Sequence, residues 1–107
     1  MLFLPLDIGE MEVNMKDYLP LGTFVQIRGK IKRFMICGRV QQQIDNGVIW
    51  DYSACGYPEG IINPNKLFLF NKEDIDRIYF VGMQDTEELE FREYILQKQD
   101  EVDGNGE

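Results

Sequence analysis

The sequence predicts an α+β domain: a small antiparallel β-sheet with a short helical turn and a C-terminal α-helix. Three observations predict it. Thr23 to Arg28 alternates in period two, with Phe24 and Gln26 opposite Val25 and Ile27, as a strand with one buried face does. Asp45-Asn46-Gly47 is the strongest hairpin signal in the chain, because Asn-Gly accepts the positive φ angles of a tight turn. Phe91, Tyr94 and Ile95 fall at i, i+3 and i+4, the spacing of one helix face. The pattern leaves open whether the sheet stays open or closes in a barrel-like way.

Taken in order, Leu19-Pro20-Leu21-Gly22 makes an entry turn and Thr23–Arg28 a first strand. Gly29-Lys30 breaks it, and a second strand, Arg33–Ile44, turns through Asn46-Gly47 into a third, Val48–Ala54. Gly56-Tyr57-Pro58-Glu59-Gly60 ends that pair, since Pro58 has no N–H for the ladder and glycine permits backbone shapes closed to other residues. Asn63-Pro64-Asn65 is a further turn, and Leu67–Phe70 a short apolar strand. Asn71 is a candidate N-cap for one helical turn over Lys72–Asp76, and Ile78–Val81 is a last strand. The final helix is expected from Glu87 to Gln99, capped by Thr86 and with acids in its first turn. Residues 1–14 read as an N-terminal extension, 15–99 as a single α+β domain and 100–107 as an acidic flexible tail. Leu2, Phe3, Leu4 and Leu6 give the extension an apolar face able to dock on the domain or a neighbour.

The chain has 107 residues and a formal charge of −8. That length supports one core but leaves little for a deep cleft. The charge is uneven: residues 1–20 carry −3, residues 21–50 carry +4 and residues 51–107 carry −9. An acidic total opposes nucleic-acid binding, which needs a basic surface against phosphates. The basic segment Arg28, Lys30, Lys32, Arg33 and Arg39 can still attract an acidic partner locally. Cys37 and Cys55 sit among apolar residues and read as buried free thiols, which favours a reducing cytoplasm. The start MLFLPLDIGE lacks the basic flank of a signal peptide, and no stretch approaches the roughly 20 apolar residues of a membrane span. The expectation is a cytoplasmic protein with no membrane partner.

Catalytic equipment is scarce. The chain contains no histidine, which removes the commonest general base and the commonest zinc ligand. The glycines are spaced as turns, not as a phosphate-cradling loop, and no calcium-loop spacing occurs. No cofactor is expected. Paired carboxylates remain as a hydrolase reading, Asp74 with Asp76 or Asp51 with Glu59. The residue types that stand out suit recognition instead. Arg39, Trp50, Tyr52, Tyr57, Pro58, Glu59 and Gly60 gather around the hairpin and the following turn, and Phe91 and Tyr94 lie on the terminal helix. Large rigid aromatics beside a Gly/Pro turn make interface anchors as readily as core.

Met15-Lys16-Asp17-Tyr18-Leu19-Pro20-Leu21-Gly22-Thr23, Met35-Ile36-Cys37-Gly38-Arg39, Asp51-Tyr52, Tyr57-Pro58-Glu59-Gly60 and Phe70-Asn71-Lys72-Glu73-Asp74-Ile75 follow one another in a recognisable order. Together they resemble the domain-of-unknown-function family DUF4176, small proteins of Gram-positive bacteria marked by a YPEG motif. The similarity runs over about residues 15–97. The resemblance implies an association with type VII secretion loci and their LXG-type toxins, whose accessory or chaperone-like partners such proteins would be. It offers no catalytic residues, and its motif falls on Tyr57, Pro58, Glu59 and Gly60.

The leading expectation is therefore a non-enzymatic cytosolic adaptor that binds a secreted toxin or a secretion component. An immunity protein is the alternative, because the acidic carboxy half would suit a basic nuclease. The carboxylate hydrolase stands third. A homodimer through an edge strand, Thr23–Arg28 or Ile78–Val81, is a further expectation.

Overall fold

A computed structural model describes residues 17–105. The proposed extension over residues 1–14, its apolar face and the last two residues of the chain lie outside the described residues. Five strands follow in order: β1 Phe24–Ile27, β2 Arg33–Gln42, β3 Ile49–Tyr57, β4 Phe68–Phe70 and β5 Ile75–Phe80. A 3-10 turn, Lys72–Asp74, separates β4 from β5, and the chain ends in α1, Thr86–Asn105. All neighbours are antiparallel in the order β4-β3-β2-β1-β5. The α+β expectation holds. The barrel-like alternative does not, because no ladder joins β4 to β5 and the sheet stays open.

The sheet is nevertheless curled. Four strand spacings across a flat sheet come to about 19 Å, yet the five steps from Phe70 to Ile75 reach at most about 18 Å. Only curling brings the two edges close enough for so short a bridge. Hydrogen bonds fasten the bridge to both flanks. Asp51 N donates to Asn71 Oδ1 (3.0 Å), Lys72 N donates to Asp51 Oδ2 (2.9 Å) and Arg28 N donates to the Asp74 carbonyl (2.8 Å). The expected helical turn over Lys72–Asp76 is thus shorter. Ile75 and Asp76 pass into β5 because β1 offers them a ladder.

Alternation along the strands divides the side chains between two faces. Val25, Ile27, Phe34, Ile36, Tyr52, Ala54, Phe70 and Ile78 form the inner core, closed by Tyr18 before the sheet and Ile95 on α1. Phe24, Gln26, Arg33, Met35, Cys55 and Tyr57 alternate with them and lie on the outer face, set by the pairs Phe24↔Met35↔Cys55 and Gln26↔Arg33↔Tyr57. Cys37 is half-buried and Cys55 buried, and both are free thiols.

Local corrections follow from tertiary context. The β2–β3 connection is wider than the expected tight turn at Asp45-Asn46-Gly47, since β2 ends at Gln42 and β3 begins at Ile49. Gln43 N donates to the Val48 carbonyl (2.7 Å), Gly47 N donates to the Gln43 carbonyl (2.9 Å), and only Gly47 has a positive φ. Asn46 uses its Oδ1 to accept from Val48 N (2.9 Å). β3 continues to Tyr57 because β2 supplies partners as far as Arg33. The register of β2 slips between Ile36 and Gly38, and Val40 beyond it adopts φ 52°, rare for a β-branched residue. The cap of α1 is Asp85 rather than Thr86: Asp85 Oδ1 accepts from Glu88 N (2.9 Å). The helix passes the expected end at Gln99 because no proline or glycine interrupts it before Gly104.

Candidate partner-binding surface

β3 delivers Tyr57 to the outer face of the sheet, after which a cis Tyr57-Pro58 bond and the positive φ of Gly60 (79°) fold the chain back. Gly60 N donates to the Gly56 carbonyl (2.8 Å) and closes the loop. Tyr57, Pro58 and Glu59 are exposed, and Gly60 is half-buried. Glu59 Oε1 meets Lys32 Nζ at 2.6 Å, and that ammonium holds the carboxyl below its ordinary range. Tyr57 stands edge-on to Phe24, ring centroids 5.3 Å apart.

Two open concavities adjoin this turn, one on each side of the sheet. The first is a groove of about 660 Å³ between the turn and the 61–67 loop, floored by Phe34, Ala54 and Phe68 and edged by Lys32, Glu59 and Lys66. The second is shallower, about 310 Å³, and is walled by Phe24, Arg33, Tyr57, Tyr79 and Phe80. Tyr57 belongs to the second, while Glu59 and Gly60 belong to the first. The turn is thus the rim shared by both.

The other sequence candidates are placed differently. Tyr52 is fully buried, edge-on to Tyr18 (5.8 Å) and stacked on Phe70 (5.3 Å). Its hydroxyl accepts from Leu19 N (2.9 Å), and burial pushes its ionisation far above the ordinary tyrosine range. Arg39 has a side chain only 4% exposed, whose Nη2 donates to Glu88 Oε1 at 2.9 Å while Nη1 donates to Glu88 Oε2. The same Glu88 accepts from Arg92 Nη2 (3.0 Å), and Arg92 reaches Asp17 (3.5 Å). Burial alone would raise the Glu88 pKa, but the hydrogen bonds and charges of Arg39 and Arg92 outweigh it and hold the carboxyl low. Arg39 and Tyr52 therefore fasten α1 and the entry segment to the inner face and are not available to a partner.

Trp50 is half-buried, its Nε1 donating to Gln43 Oε1 (3.1 Å) across the hairpin. Phe91 and Tyr94 are about half exposed and stacked at 6.2 Å, with the Arg39 guanidinium 5.3 Å from the Phe91 ring. They form a separate patch on α1. The sequence reading missed Phe24, Arg33, Tyr79 and Phe80 as one cluster. Their strands alternate legibly, but the β1–β5 register that unites them cannot be read from either strand alone.

The carboxylates of the hydrolase reading each have an engagement of their own. Asp51 accepts from Lys72 N, Asp74 accepts from Asn71 N (2.9 Å), Asp76 faces Arg28 (3.8 Å) and Glu59 pairs with Lys32. Among the described residues no group of three or more Cys, Asp or Glu side chains is placed to hold a metal ion. No helix among them is long and apolar enough to cross a membrane.

Curled sheet, single backing helix and solvent-facing aromatic turn define a small α+β domain whose distinctive residues form a surface rather than an enclosed site. The family model of the domain of unknown function DUF4176 matches residues 18–91, and the chain belongs to that family. The match includes the whole sheet and the Tyr57–Gly60 turn. Neither a curated protein nor a solved structure matches the chain.

Proposed function

We propose that the chain is a non-enzymatic adaptor or chaperone-like protein that binds a protein partner through the surface around Tyr57–Gly60. One observation carries this reading: the turn that marks the sequence is also the rim of both open concavities. Exposed Tyr57 and Phe80, with Arg33 beside them, are residue types that dominate binding energy at protein interfaces. Both concavities are open to solvent, whereas a small substrate calls for a pocket that buries most of it.

The secretion-locus association implied by the sequence resemblance makes a type VII toxin of the LXG type, or a component of that system, the partner class. The site of action in this reading is the cytoplasm, before export. Co-expression with the product of each neighbouring gene, followed by size-exclusion chromatography, tests the proposal. Co-elution with a toxin or secretion component is expected, and separate elution from every neighbour rejects it.

A second reading rests on the charge of α1, whose Glu87, Glu90 and Glu93 are exposed. Such a surface would oppose a basic nuclease domain, as an immunity protein does. Protection of cells expressing the toxin domain is its signature, and unprotected cells remove it.

A further inference from the structure

The outer face of the sheet carries an imbalance of charge. Among the described residues Arg28, Arg39 and Arg92 each pair with a carboxylate, and Lys32 pairs with Glu59. Arg33 and Arg77 do not. Both are exposed, and both guanidiniums lie against one ring, that of Tyr79, at 4.4 and 5.4 Å from its centroid. In a chain of net charge −8, two arginines laid against one ring with no acid paired to either among the described residues leave positive charge uncompensated on this face. Tyr79 is itself fixed, its hydroxyl donating to Gln26 Oε1 (2.7 Å).

Apolar surface adjoins the pair. Phe24 stands edge-on to Tyr57 at 5.3 Å and to Phe80 at 6.0 Å, with Phe80 58% and Tyr57 47% exposed. These rings and Arg33 wall the 310 Å³ concavity. Described core side chains of α1 and the entry segment pack on the opposite face.

We propose that this outer face docks an acidic segment of a protein partner, with carboxylates paired to Arg33 and Arg77 and a neighbouring apolar side chain between Phe24, Tyr57 and Phe80. Charge complementarity selects this occupant. A second copy docked face to face would set arginine against arginine across the two-fold axis. One docked through its acidic helix would make a head-to-tail contact, which builds a ring or a filament rather than a two-fold dimer. The segment lies across the face rather than extending the sheet, because β5 carries two register shifts and presents an irregular edge. This deepens the adaptor reading and rests on it for the partner's being a protein.

The test has a peptide arm and a partner arm. A fluorescein-labelled Glu-Phe-Glu-Leu-Glu peptide is titrated with the full chain at low salt, beside a Lys-for-Glu peptide and a Ser-for-Phe/Leu peptide. Expected is binding at least about tenfold tighter than either control and weakened by added salt, as for exposed charges. It should be lost in Arg33→Glu/Arg77→Glu and reduced in Tyr57→Ser, with thermal unfolding of the double variant unchanged. Equal binding of the three peptides, or undiminished binding by a folded double variant, overturns the proposal. So does displacement of the acidic peptide by AMP, which would assign the arginines to a phosphate. A rise in molar mass with concentration that the double variant abolishes overturns it too, by giving the face to a second copy. In the partner arm, a toxin that co-elutes equally with wild type and double variant leaves the adaptor reading standing and removes this face from it. A toxin that ignores the wild type, while the acidic peptide still binds, removes the adaptor reading instead.

Discussion

Glu88 takes hydrogen bonds from two guanidiniums while largely shielded from water, and this makes it the most consequential single side chain on α1. Arg39→Ala removes one partner from a shielded carboxylate, a change that costs about 3–5 kcal/mol for buried pairs. The lower part of that range is expected here because Arg92 remains, and urea unfolding measures it. Arg39→Met with Glu88→Leu should cost less than the single change, since both members of the shielded pair are removed and Arg92 keeps its contact with Asp17. The depressed pKa of Glu88 gives the pair a pH signature. Its contribution is complete above the unfolded glutamate value of about 4.3, and is lost as pH falls through the lower folded value. The stability gap between wild type and Glu88→Gln should accordingly be constant at higher pH and shrink as pH falls below about 4.3. Tyr52→Phe is the third change at this scale. It strands the Leu19 N–H and should cost about 1–2 kcal/mol, read from the urea midpoint.

Elements meet where side chains leave no room. After β5 the chain passes Gly82, whose N–H donates to the buried Thr23 Oγ1 (3.0 Å). A Cβ placed there would strike the carbonyl of Leu21, backbone that cannot swing aside. Gly82→Ala should therefore destabilise by about 2 kcal/mol, whereas Gly29→Ala, with open space but a φ of 81°, tests backbone conformation alone. Thermal unfolding of the two variants separates crowding from strain. At Gly38 an added Cβ would likewise meet Ser53 Oγ and the Gln41 side chain, which explains a glycine in mid-strand beside the register shift. The elements themselves were largely legible: β1, the β2–β3 hairpin, β4 and α1 all lie where alternation, turn residues and helical spacing put them. Their ends were not. β3 ran on to Tyr57 and β5 began at Ile75 because a neighbouring strand offered ladder partners, and such partners are invisible along the chain.

At the scale of the molecule, strand order decides what is edge and what is interior. β1, expected from its shortness to be exposed, lies between β2 and β5 and cannot pair with a second copy. The true edges are β4, three residues long, and β5, which is bulged twice, and both resist strand addition. Sedimentation or light scattering should accordingly return the mass of a monomer, and a stable dimer would show that another surface self-associates. Charge is polarised in the same frame: Lys30, Lys32, Arg33, Lys66 and Arg77 lie toward the turn and β5, while exposed acids line α1. Association with an acidic partner should be salt-sensitive for that reason.

The sequence by itself determined the class of fold and the family, because periodicity, turn chemistry and motif order are properties of the chain. Only the tertiary structure decided which aromatics and arginines face outward. Tyr52 and Arg39 went inward, where a hydroxyl and a guanidinium were needed to satisfy Leu19 and Glu88. Phe24, Arg33, Tyr57, Tyr79 and Phe80 came together outward, through strand register. Register depends on pairing between distant segments, and a one-residue slip would have sent each of them to the other face.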